Sequence, residues 1–172
     1  MAETKGAKHK HDMSTLDGLY AGAKEFAESI YAKGPDEMVR ASIWGYSKKT
    51  KDVSVYVIAD MPSEPDEKDR LDLALRLQLK AHDISAYVFM CEGLAIDLTA
   101  ADAKTYDRRI PPSKSDRRIE VFTLTASDGK RQKSGSYKMI RDETGKVVNL
   151  EEWQMDDGET HSEGRFVNLL DE

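Results

Sequence analysis

The sequence predicts an α+β domain, a mostly antiparallel sheet of about five or six strands with two helices on one face, in the order αββαβ-βββ. Three observations carry that reading. Apolar residues recur at three- and four-residue spacing between Ser14 and Ala32, which is the period of a helix face. Two apolar runs, the second in strict alternation, flank the polar segment Ser47 to Lys51, as in a hairpin. Three further strand-like runs near the C-terminus are separated by Ser127-Asp128-Gly129-Lys130 and Glu143-Thr144-Gly145-Lys146, which are turn signals.

The first helix places Leu16, Leu19, Tyr20, Ala23, Phe26, Ala27, Ile30 and Tyr31 on one stripe, with Ser14 as the expected N-cap and Gly34-Pro35 as the stop. Val39 to Tyr46 and Asp52 to Ala59 read as strands, and Pro62 and Pro65 mark the loop that follows. From Leu71 to Leu79 a leucine falls on every second residue, which is strand spacing. The segment Glu67 to His82 nevertheless contains no β-branched residue and is rich in strong helix formers, so it reads as a helix with a wide apolar face. Ile84 to Leu98 reads as one long strand or a strand with a kink. Thr99 to Ser115, with Pro111-Pro112, is a long connection with room for a short helix near Ala100 to Tyr106. Arg117 to Ala126, Ser134 to Asp142 and Val147 to Met155 form a meander, and Arg165 to Leu170 can add a last strand or helix. Matching periodicity assigns Leu19, Phe26, Val55, Leu71, Leu75, Val88 and Phe122 to the core.

A length of 172 residues fits a single domain, here residues 14–172 behind a basic, flexible arm at 1–13. The one cysteine, Cys91, excludes an intrachain disulfide and a thiolate-rich zinc site, and fits a reducing, cytoplasmic setting. The N-terminal twelve residues carry no apolar core of a signal peptide, and no window resembles a membrane span, so no membrane partner is expected. Net charge is −6, and residues 151–172 account for it with eight acids against one base. The body is thus near neutral, which leaves nucleic-acid binding dependent on a local patch.

Two constellations could carry chemistry. Glu92 is the only ionisable residue on the strand face Ile84, Ala86, Val88, Met90, Glu92, Leu94, Ile96, Leu98. If the next strand pairs there, Glu92 and Glu120 converge, and paired carboxylates can hold Mg²⁺ or share a proton. The alternatives are a bulge at Gly93 or pairing with Arg117 or Arg141. The second constellation is Arg108, Arg109, Lys114, Arg117 and Arg118, which Lys48, Lys49, Lys51, Lys130, Arg131 and Lys133 could extend into a phosphate-binding patch. A solvated surface, or a dock for the acidic C-terminal segment, is the plainer reading of it. The four histidines are dispersed, and no phosphate loop, nucleophile elbow or paired-histidine helix is present, so neither metal nor cofactor is expected.

Tyr87 to Glu92 (YVFMCE), Pro112 to Val121 (PSKSDRRIEV) and Ile140 to Gly145 (IRDETG) together resemble small uncharacterised proteins of phages and proteobacteria, over about residues 39–150. The resemblance implies an accessory protein of a virus or mobile element and assigns no residue a role.

The expectation is therefore a small cytosolic accessory protein that acts by contact, with another protein as partner and its oligomeric state open. The alternatives are a metal-dependent hydrolase or nuclease on Glu92 and Glu120, and a nucleic-acid binder through the 108–118 loop.

Overall fold

A computed structural model describes residues 10–98, 102–107, 109, 111–156, 166, 169 and 170. Helix α1 (Leu16–Tyr31) leads into strands β1 (Ser42–Ser47) and β2 (Asp52–Val57), then helix α2 (Pro65–Ala81) and the long strand β3 (Ile84–Ile96). A short helix α3 (Asp102–Thr105) and a 3-10 turn at Pro112–Lys114 precede β4 (Arg118–Ser127), β5 (Gln132–Arg141) and β6 (Val147–Asp156). The strands form one antiparallel sheet in the order β2-β1-β3-β4-β5-β6. The α+β class and the order of elements are those the sequence predicts. The segment with leucines at every second position is a helix.

The two helices do not share a face. Helix α1 packs with Ala86, Val88, Met90, Phe122, Leu124 and Tyr137, whereas α2 packs with Ile43, Tyr87 and Phe89 on the opposite side. The physical reason is legible in β3. Ala86 to Met90 are five consecutive buried apolar residues, so both faces of the strand need a cover. Leu19, Ile43, Tyr87 and Phe122 are wholly enclosed, and burial of side chains this size contributes roughly 1.5–3 kcal/mol each.

Helix α1 is capped by Thr15 rather than Ser14. The Thr15 side chain accepts from the N–H of Gly18 at 3.1 Å, and Ser14 is instead engaged by the Asp12 carboxylate. Residues 10–13 also depart from the expected arm. Met13 is buried, and His11 Nε2 lies 2.7 Å from Glu25 Oε2 on the helix. Residues 1–9 lie outside the described residues. Tyr20 reaches across to β5, where its hydroxyl meets that of Tyr137 at 2.9 Å. Gly135 makes this possible, because a Cβ there would collide with the Tyr20 hydroxyl.

The second core includes the chain's end. Phe166 stacks on Phe89 with ring centroids 5.1 Å apart, and its N–H donates to Asp72 of α2. The N–H of Leu169 donates to the Tyr87 hydroxyl at 3.1 Å. Phe166, Leu169 and Leu170 lie in turns rather than a strand or helix, and Arg165 is outside the described residues.

Three core assignments shift. Leu71 is only half-buried, and Phe26 and Val55 are 40% and 52% exposed. Val55 belongs to the edge strand, beyond the reach of α1. No helix among the described residues is long and apolar enough to cross a membrane.

Candidate functional site

Glu92 and Glu120 lie on the same face of the sheet, the one covered by α1. Glu92 pairs with Phe122 and Glu120 with Leu94, which makes the two carboxylates diagonal neighbours with Cα atoms roughly 7–8 Å apart. The register runs without interruption from Tyr87 to Ile96, so Gly93 marks no bulge. Ile84 alone leaves the expected face, because a register shift between β1 and β3 at Tyr46 and Ser47 turns it toward α2.

Each carboxylate has its own protein partner. Glu92 is half-buried and accepts from the N–H of Val39 at 2.7 Å. Arg141 donates to Glu120 at 2.6 Å and with its other arm to the Gly145 carbonyl at 2.8 Å. The sequence suggested Arg117 or Arg141 as a partner for Glu92; Arg141 takes Glu120 instead. The Tyr31 hydroxyl is buried nearby, and burial first, then the Glu92 charge, hold its proton on well above the usual tyrosine range. Cys91 on the opposite face is pushed up by burial, with its Sγ 3.1 Å from the Thr123 hydroxyl, so its reactive thiolate is disfavoured. Among the described residues no three His, Cys, Asp or Glu side chains are grouped to hold a metal ion.

The antiparallel register separates the two basic clusters that the sequence left free to merge. Lys48, Lys49 and Lys51 lie in the β1–β2 turn, and Lys130 and Arg131 in the β4–β5 turn, with Lys133 just past it, all at one end of the sheet. Lys114, Arg117 and Arg118 lie at the other end, beside the end of β3. Arg109 is clamped by both oxygens of Asp107, and Arg118 donates to the Ser113 carbonyl. Arg108 is outside the described residues. The described end of the acidic segment docks under α2, on Asp72 and Tyr87, and not on the 109–118 loop.

The feature missed at first is the outer side of α2. Leucines two apart on a helix sit about 200° around its axis, so an every-second-residue pattern makes two stripes. Leu71, Leu75 and Leu79 face the sheet, while Leu73 and Leu77 are 58% and 60% exposed. Leu73 and Leu77 line a groove of about 520 Å³ together with Ile84, Gly129, Leu169 and Leu170. Lys48, Lys80 and Asp128 also line it, and Arg76 there is joined to Asp72 at 2.7 Å. The leucine spacing itself was the available signal.

No protein-family model, curated protein or solved structure matches the chain.

Proposed function

We propose that this chain is a cytosolic accessory binding protein, related to phages or mobile elements, that works by contact and takes its partner in the α2 groove. The single observation that carries this is the outward pair Leu73 and Leu77 beside an apolar trench. A single exposed leucine is ordinary, but two on one helix stripe that line an apolar groove form a contiguous patch of the kind that marks interaction sites. The occupant is a partner's amphipathic helical segment with acidic flanks. Its apolar residues fill the space between Leu73, Leu77 and Leu170, and its acids meet Lys48 and Lys80. The carboxylate pair favours contact over catalysis, because Glu92 and Glu120 spend their charges on Val39 and Arg141.

Selection of displayed random peptides on the full chain tests the reading. The expected result is enrichment of sequences with apolar residues at three- and four-residue spacing and acidic flanks, whose binding weakens with salt. Enrichment of basic or unpatterned peptides would overturn it.

A further inference from the structure

The two edges of the sheet are built differently. β6, at one edge, carries Glu151 and Glu152, and its pairing with β5 is broken by two register shifts. Charges and bulges of this kind block strand addition. β2, at the other edge, begins at Asp52 and then reads Val53-Ser54-Val55-Tyr56-Val57, uncharged over those five residues and without proline, in unbroken register with β1. Val55 and Val57 are 52% and 57% exposed. Among the described residues nothing but β1 pairs with this strand.

We propose that β2 is a homodimerisation edge, pairing antiparallel with β2 of a second copy about a two-fold axis at Val55. The backbone is set for it. The Ile58 N–H donates to the Ala41 carbonyl, so Ile58, Tyr56, Ser54 and Asp52 direct their polar groups at β1. Val53, Val55 and Val57 therefore turn theirs to the open edge. With the axis at Val55, Val55 exchanges both hydrogen bonds with its own mate, and Val53 does so with Val57 of the second copy. Every outward N–H and C=O of these residues is satisfied, and their side chains form one continuous ladder on the α1 face. At the ladder's ends Asp52 comes opposite Ile58 of the second copy, so no like charges face each other along it. A β6 edge offers Glu151 and Glu152 at this place instead.

Sedimentation of the full chain between low and high micromolar concentration tests the interface. Wild type is expected at twice the 19.4 kDa chain mass. Val55→Lys sets two cations face to face, and Val55→Pro deletes an N–H that β1 does not use. Each is expected to weaken dimerisation at least tenfold, with the far-ultraviolet circular dichroism unchanged. In a Cys91→Ser background, Val55→Cys is expected to give an oxidised covalent dimer and Val148→Cys on β6 none. A monomeric wild type at the highest concentration overturns the proposal, even if it accepts a foreign strand. So does a dimer that tolerates Val55→Lys, or one that Val55→Cys fails to link.

Discussion

Arg141 Nε stands 2.6 Å from Glu120 Oε2, and this ion pair lies diagonally beside Glu92, whose own carboxylate is held by the Val39 N–H. The arrangement ties β4 to β5 and pins the segment entering β1 to β3. Glu92→Ala leaves a half-buried N–H without its acceptor and is expected to cost about 1–3 kcal/mol in urea unfolding. Glu92→Gln keeps an acceptor oxygen and is expected to cost less. Equal and negligible losses for both would show that the bond stabilises nothing.

The hydroxyls of Tyr20 and Tyr137 share a buried hydrogen bond, and burial raises the pKa of both, as it does for Tyr31. A raised folded-state pKa means that folding favours the protonated form. The associated stability is whole below the unfolded value near pH 10 and falls as pH climbs toward the folded values. Of seven tyrosines, at least three are expected to stay un-ionised in a spectrophotometric titration until the chain unfolds. Titration of all seven as one ordinary group in the folded chain would contradict the burial.

The two leucine stripes of α2 should separate in their energetics. Leu75→Ala or Leu79→Ala empties a buried site and is expected to cost about 2–5 kcal/mol. Leu73→Glu or Leu77→Glu changes an exposed site and is expected to stay within about 0.5 kcal/mol of wild type in thermal unfolding. Comparable losses in both stripes would mean that the outer leucines are covered by the chain itself.

Local chemistry made much of this fold readable. The α1 stripe, the two Gly-containing turns and the helix-forming composition of Glu67 to His82 each specify an element without help from the rest of the chain. What escaped was decided by tertiary placement. The side on which α2 lies depends on both faces of β3 needing cover, a demand written in Ala86 to Met90 but easily read as a one-sided strand. Phe26 and Val55 carry core-type side chains, yet Phe26 lies against Trp44 at the margin of the α1 interface and Val55 on the edge strand. At the site, periodicity put Glu92 on an apolar strand face, but only the β3–β4 register brings Glu120 to the same face. Their partners could not be read from periodicity, because Val39 and Arg141 arrive from distant points in the chain.

Fluorescence polarisation of a labelled peptide from the display selection measures the central claim most directly, with the full chain, its Leu73→Glu/Leu77→Glu variant and its Arg117→Glu/Arg118→Glu variant side by side. If the protein works through the α2 groove, the leucine variant binds at least tenfold more weakly and the arginine variant binds as wild type does. Undiminished binding by the leucine variant, with loss in the arginine variant, would contradict the account and move the working surface to the basic loop.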